Sequence, residues 1–363
     1  MKIAFYGSSL LSAYWNGAAT YYRGMLRALA EKGYDITFYE PDVYERQQNR
    51  DIEPPDWCRV VVYQGNVEAL MQVTAEARQA DIVIKASGVG FEDDLLLELV
   101  LQHAVPDALR IFWDVDAPAT LAELRSDPNH PLRQALQSID LVLTYGGGEP
   151  VIAAYREMGA QDCVPIYNGL DPHTHHPVAA DPRFAGDLGF LGNRLPDREA
   201  RVEEFFLIPA VRTPSQHFLL GGSGWADKAM PTNIAYLGHV GTAEHNAFNV
   251  SPKAVLNISR ASMAETGFSP ATRVFEAAGA GACIITDHWE GIELFLSPDD
   301  EILVARDGQD VSAILGELTW ERARQIGAAA MERVLREHTY AHRAEEVDRV
   351  FRSAARRQVE AAE

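Results

Sequence analysis

The sequence predicts an α/β protein made of two consecutive doubly wound units, each a parallel sheet with helices on both faces. Three observations predict it. Short, nearly continuous apolar runs alternate with helical stretches along most of the chain, the pattern of parallel strands buried on both sides and joined by crossover helices. The alternation stops once, at the Pro-, Gly-, Asp- and His-rich stretch YNGLDPHTHHPVAADPRFAGD (167–187), and then restarts. The 363 residues exceed one ordinary core and fit two domains of about 100–200 residues each.

In the first half, KIAFYG (2–7) reads as a strand and NGAATYYRGMLRALAEKG (16–33) as a helix ending at Gly33. DITFYE (35–40), RVVVYQ (59–64), DIVIKASG (81–88), RIFWD (110–114) and DLVLTYG (140–146) follow as strands, and EDDLLLELVLQH (92–103) is apolar at helical spacing. In the second half, LGFLGN (188–193), HFLLGG (217–222), NIAYLG (233–238), AVLNIS (254–259), ACIITD (282–287) and EILVA (301–305) read as strands, and REARVEEFFLIPAV (198–211) as a helix. The segment from about Trp320 to Glu363 reads as helical and charged, with no strand after it. A long terminal helix of that kind can cross back over the first domain. The expected division is 1–170, joined by the C-terminal helix at about 340–363, and 171–339, with the connection near 168–180. Ligands of such sheets bind at the carboxyl ends of the strands, and two units facing each other make a cleft.

Composition narrows the partners. Hydrophobic residues make up 47% and charged residues 23%, as in a globular protein. Lys and Arg number 32 against 52 Asp and Glu, a net charge of −20. A surface that acidic repels nucleic acid and anionic lipid, so no nucleic acid is expected as a partner, and an anionic substrate needs a local basic pocket. MKIAFYG has no signal-peptide core and no run of ~18 apolar residues occurs, so no membrane span is expected and a cytoplasmic location is. Cys58, Cys163 and Cys283 lie far apart without metal-ligand spacing, which suits reduced thiols. HTHH (173–176) lies beside Pro172 and Pro177 and reads as linker before it reads as a metal site, so no metal is expected.

The densest chemistry lies in FSPATRVFEAAGAGACIIT (268–286). Ser269 as N-cap and Pro270 at the first helical position open a helix that Gly279 and Gly281 end. Its free N–H groups and positive dipole end form an anion site. Arg273 and Glu276 share a face: either an ion pair worth ~0.2–0.5 kcal/mol on the helix surface, or an arginine placed for a phosphate and a carboxylate placed for the vicinal hydroxyls of a ribose.

The run R-x-F-E-A-x-G-x-G at 273–281, with CIITDHWEGIELFL (283–296), GFLGNRLPDR (189–198) and AYLGHV (235–240), resembles the C-terminal region of GT-B glycosyltransferases, in particular the CgeB-like branch. The resemblance covers most of the second domain and, more weakly, the first. It implies the GT-B architecture with a crossing terminal helix, and a nucleotide-sugar donor as co-substrate, a UDP-sugar, with no other cofactor. It implies that Glu276 binds the donor ribose, that the loop with Asn193, Arg194 and Arg198 approaches the phosphates, and that Gly222 and the His239–Val240 loop lie near the nucleotide. Ser269, Pro270 and Arg273 complete that set. Many retaining relatives carry a second glutamate eight residues before the ribose-binding one; here Phe268 stands there, with Glu265 out of register, so the stereochemical outcome is open.

In the first domain, FYGSSLLSAYWNGAATYYRGM (5–25) is a strand, a Gly/Ser loop and a helix in which Gly7, Asn16 and Gly17 permit close backbone approach. The family places such a loop near the sugar and phosphates; an ordinary strand–helix turn is the alternative. FWDVDAP (112–118) puts Asp114 and Asp116 at a strand's carboxyl end. Either can be the base that takes the acceptor's proton, or both can be loop caps. Lys85 reads as a solvated loop residue or a phosphate contact, and Trp225 as a core residue or a stacking platform. The function expected is metal-independent glycosyl transfer from a nucleotide-diphosphate sugar to an acceptor hydroxyl or amine. A nucleotide-sugar 2-epimerase of the same plan and a non-catalytic nucleotide-sugar-binding protein are the alternatives.

Overall fold

A computed structural model describes residues 1–14 and 16–362. Trp15 and Glu363, the latter the last residue of the expected terminal helix, lie outside the described residues. The chain divides into two compact units, Met1–Tyr167 with Tyr340–Glu363, and Asn168–Thr339.

The first unit holds strands β1 (Lys2–Tyr6), β2 (Asp35–Asp42), β3 (Arg59–Gln64), β4 (Ile82–Ala86), β5 (Leu109–Asp114), β6 (Leu141–Thr144) and β7 (Cys163–Pro165). They form one sheet in the order β3-β2-β1-β4-β5-β6-β7, parallel throughout. Helices α1 (Ala19–Glu31), α2 (Val67–Thr74), α3 (Asp93–His103), α4 (Ala117–Ser126), α5 (Pro131–Ala135) and α6 (Gly148–Glu157) join them. Both sheet faces are buried. Phe5, Phe38, Ile84 and Trp113 pack on one side, and Ala4, Tyr6, Tyr39 and Val83 on the other, which is why the strand sequences lack polar alternation. β1 has β2 on one side and β4 on the other. The chain winds away from it in both directions, and the crevice this opens at the carboxyl edge is where such sheets bind ligands.

The second unit repeats the plan with β8 (Leu188–Leu191), β9 (Phe218–Gly221), β10 (Ile234–Gly238), β11 (Ala254–Asn257), β12 (Ile284–Asp287) and β13 (Leu303–Ala305), in the order β10-β9-β8-β11-β12-β13. Its helices are α7 (Pro196–Val202), α8 (Ile208–Arg212), α9 (His245–Val250), α10 (Ala261–Thr266), α11 (Thr272–Gly279), α12 (Gly308–Glu317) and α13 (Trp320–Glu337). A π-helical turn at Glu203–Leu207 links α7 to α8. Pro209 has no N–H for the Phe205 carbonyl and its ring crowds that turn, which accounts for the widening. Here the switch point lies at β8, between β9 and β11.

The terminal segment is two helices. α13 ends before His338, and α14 (Tyr340–Ala362) begins after Thr339. The break is held by Leu170, whose N–H donates to the His338 carbonyl at 2.8 Å. No Gly or Pro marks it in the sequence. α14 belongs to the first unit. Tyr340, Ala344, Val347, Phe351 and Ala354 recur at helical spacing and join the core that holds Tyr21, Tyr22 and Met25 of α1. Gly24 allows the approach, since a Cβ there would meet the Tyr340 ring at 2.1 Å. Gly24→Ala is therefore expected to lower stability by about 1–3 kcal/mol through overpacking, although the same change in an exposed helix raises it. Urea denaturation reads the sign.

Candidate functional site

The second unit's carboxyl edge is built from loops stitched side by side. After β8, the Gly192 N–H donates to the Gly221 carbonyl at 2.9 Å and the Arg194 N–H to the Ser223 carbonyl at 2.9 Å. Asn193 Oδ1 accepts from the Ser223 N–H at 2.9 Å. The Gly222 N–H donates to the Gly238 carbonyl at 2.7 Å, tying in the loop after β10. Gly222 has φ +120°, and a Cβ on it would stand 2.2 Å from the Gly192 carbonyl oxygen; glycine alone fits. In the next loop His239 is exposed and Val240 buried.

Arginines converge on this edge. Arg198, in the first turn of α7, donates from Nη2 to the Asn193 carbonyl at 2.6 Å, while its Nε is buried without a partner. Burial first, then the charges of Arg273 and Arg260, pull its pKa down to about 10, against Asp197 and Asp287. Arg273, partly exposed on α11, makes no hydrogen bond or ion pair among the described residues. Burial lowers its pKa and Glu276 opposes the change. Arg260, at the end of the β11 loop, pairs with Asp197. Beneath them, the fully buried Asp287 accepts from the Ser259 N–H and from Arg201 Nη2 at 2.5 Å, which holds the β11 loop in place. Like charges gathered in this way cost free energy that a bound anion offsets.

Arg194 is the exception in its loop. Its guanidinium donates to Asp227 at 3.0 Å and to Glu199 at 2.7 Å, so its charge already has carboxylate partners. Trp225 is fully buried and donates from Nε1 to the Gly192 carbonyl at 2.8 Å. It is a core residue, and the stacking platform is corrected.

The helix at the opening of the site also differs from expectation. α11 starts at Thr272 with Ala271 in the capping position and no side-chain cap. Ser269 is not the N-cap: its hydroxyl donates to the Gly267 carbonyl at 2.9 Å, and the Pro270 carbonyl accepts from Asn168 Nδ2 at 2.8 Å. The delay comes from a left-handed pair, Gly267 (φ +72°) and Phe268 (φ +48°), that sets the approach. No side chain caps the start of α11, which leaves its first N–H groups without a side-chain acceptor.

Glu276 stands one turn beyond Arg273 and meets two histidines that sequence spacing does not reveal. His175, from the HTHH stretch, is buried with Nε2 at 4.0 Å from Glu276 Oε1. His245, which begins α9, interacts with Glu276, Arg273 and His175 and bonds the Val240 backbone. Burial drives its pKa down to about 4 against the pull of Glu276, with Arg273 and His175 adding to the depression. Among the described residues no group of three or more His, Cys, Asp and Glu side chains is placed to hold a metal ion. A histidine whose folded pKa is depressed contributes stability that is present above its unfolded pKa and lost as pH falls. His245→Gln is expected to flatten the loss of stability between about pH 6.5 and 4, by up to about 1.4 kcal/mol per pH unit. Melting curves across that range measure it.

In the first unit the expected groups are mostly engaged. Gly7 packs on Phe38, whose ring would lie 2.4 Å from an added Cβ. Asn16 is buried, accepts from the Ser8 hydroxyl at 3.0 Å and donates to the Ser9 carbonyl at 2.9 Å. Buried Glu40 accepts from the Leu10 N–H and the Ser9 hydroxyl, organising the same loop. Gly17 is exposed with open space around it. Lys85 is not a solvated loop lysine: it is buried and pairs with Asp93 at 2.5 Å. Asp114 is fully buried and accepts from Ser87, Thr120, the Asp116 N–H and, at 2.5 Å, Tyr155. Asp116 is partly exposed.

Residues 198–349 match a family model described as glycosyl transferase-like. The Anabaena HepE protein, solved in complex with UDP and glucose, superposes with a TM-score of 0.67 at 12% identity, over 97% of this chain and 100% of that one. The protein has the GT-B glycosyltransferase fold. A sucrose-phosphate synthase from Thermosynechococcus elongatus shares this GT-B fold with a TM-score of 0.68 at 15% identity, over 100% of both chains. An α-glucosyltransferase in complex with UDP-glucose and DNA containing an abasic site gives 0.69 at 12% identity, over 96% of this chain and 98% of that one. No curated protein matches the sequence. No helix among the described residues of this GT-B chain is long and apolar enough to cross a membrane.

Proposed function

We propose that this protein is a metal-independent glycosyltransferase that passes a hexosyl group from a UDP-sugar to an acceptor hydroxyl or amine, within a CgeB-like branch of the GT-B enzymes. The observation that carries the reading is the grouping of Arg198 and Arg273 beside an uncapped helix end, with Glu276 one turn further along. A diphosphate suits the arginines and the helix end. The ribose hydroxyls suit the carboxylate, and the loops of Asn193, Gly222 and His239–Val240 border the nucleotide. Arg194 holds the loop through Glu199 and Asp227. Preorganised positive charge at a departing diphosphate stabilises the charge that develops there. The match over 198–349 to a glycosyl transferase-like family, and the UDP and UDP-glucose bound in structures of this fold, favour transfer over epimerisation. In the first unit, Asp116 is the proposed base.

Calorimetry with UDP tests this reading. Glu276→Ala is expected to weaken UDP binding by roughly 1–3 kcal/mol, through lost charge-assisted hydrogen bonds. An unchanged dissociation constant takes Glu276 out of the site.

A further inference from the structure

Three features meet at His175. Its Nε2 faces Glu276 Oε1 at 4.0 Å, and its ring is buried. Its Nδ1 lies 3.0 Å from the Thr174 hydroxyl oxygen. That hydroxyl is also 3.2 Å from the Asp171 carbonyl, which already accepts the N–H groups of Thr174 and His175. That hydroxyl donates to the carbonyl, so its oxygen accepts from Nδ1–H, and in the neutral ring Nε2 faces Glu276 without a hydrogen. Among the described residues, Arg273 on the same helix and His245 from α9 interact electrostatically with Glu276. Arg273 keeps its charge at any pH used here. His245, driven down to about 4 by burial, stays neutral above pH 5. An imidazole is the side chain that gains charge between pH 8 and pH 5.

We propose that His175 is a positioning residue for Glu276: neutral, it leaves both carboxylate oxygens to the two hydroxyls of a ribose; protonated, it pairs with Oε1 and withdraws one of them. The proposal rests on the reading of Glu276 as the ribose-binding carboxylate. It makes recognition of the ribose, rather than of the diphosphate, the pH-sensitive part of donor binding.

The experiment compares UDP with 2′-deoxy-UDP by calorimetry at pH 8 and pH 5.5, in the wild-type protein and in His175→Gln. The two ligands carry the same diphosphate, so the ratio of their dissociation constants cancels protonation effects on that group and isolates the 2′-hydroxyl. In the wild type the ratio is expected to be about tenfold or more at pH 8, the effect of a hydrogen bond to a charged group, and to fall at least about threefold at pH 5.5. In His175→Gln it is expected to be the same at both pH values. A wild-type ratio that does not change with pH overturns the proposal, whatever the variant does. So does a ratio that falls equally in His175→Gln, which would place the titration on the carboxylate itself. Absence of UDP binding at pH 8, or equal binding of the two ligands there, removes the ribose reading of Glu276 and the proposal with it.

Discussion

Arg273→Met is expected to raise the melting temperature of the ligand-free protein while removing most of its response to UDP. The sign of the first effect follows from the side chain's surroundings. Burial lowers the Arg273 pKa and the Glu276 charge does not restore it, so the fold as a whole disfavours the guanidinium's charge. The same charge depresses Arg198. A thioether of similar length keeps the stem's packing and takes away the repulsion. The expected change is a rise in the melting temperature. The second effect is larger and opposite. Loss of the hydrogen bonds an arginine makes to a phosphate costs about 1.5–3 kcal/mol, a dissociation constant about 10- to 150-fold weaker. Thermal melts with and without UDP read both at once, because a ligand that binds only the native state raises its melting temperature. A variant that melts lower than wild type and still binds UDP normally would make Arg273 a structural residue.

Much of this arrangement is visible in the sequence, for reasons that also explain what is hidden. Strands such as Ile82–Ala86 and Leu141–Thr144 are legible because both their faces are buried, so apolar residues run on without alternation, with Lys85 and Thr144 only near the ends. β7 has three residues and ends in Pro165, too short for any period to register. The start of α11 is set by Gly267 and Phe268 in left-handed conformations, with the Phe268 N–H bonded to the Glu290 carbonyl; a contact outside the local segment outweighs the Ser-Pro signal. Within the candidate site, Arg273 and Glu276 are legible because helical spacing alone puts them on one face. His175 and His245 are not, since each comes to Glu276 from a segment remote in the chain, and HTHH shows a cluster without showing what it faces. The difference between Arg194 and Arg198 is hidden for the same reason: only the fold shows that Asp227 reaches the first and that no carboxylate bonds the Nε of the second.

The two aspartates at the carboxyl end of β5 are expected to separate by what their loss costs. Asp116→Asn should lower turnover by about 10²–10⁴-fold, the range for a general base, with UDP affinity and melting temperature close to wild type. Asp114→Asn should instead destabilise the first unit. The Asp114 carboxylate is fully buried and ties the end of β4 through Ser87, α4 through Thr120 and α6 through Tyr155. An amide has one acceptor end, so either Tyr155 or the Ser87–Thr120 pair would face a donor. A buried polar group left unmatched costs about 1–3 kcal/mol. Burial also raises the Asp114 pKa, with Tyr155 and the other donors pulling it back only in part; a carboxylate in that position is closed to an acceptor hydroxyl. Its bond from the Asp116 N–H, at 3.0 Å, fixes the loop that presents the second aspartate. Turnover measured beside thermal melts distinguishes the roles. If Asp114→Asn melts normally and loses turnover while Asp116→Asn keeps it, the base is the buried residue, and the loop must open for the acceptor to reach it.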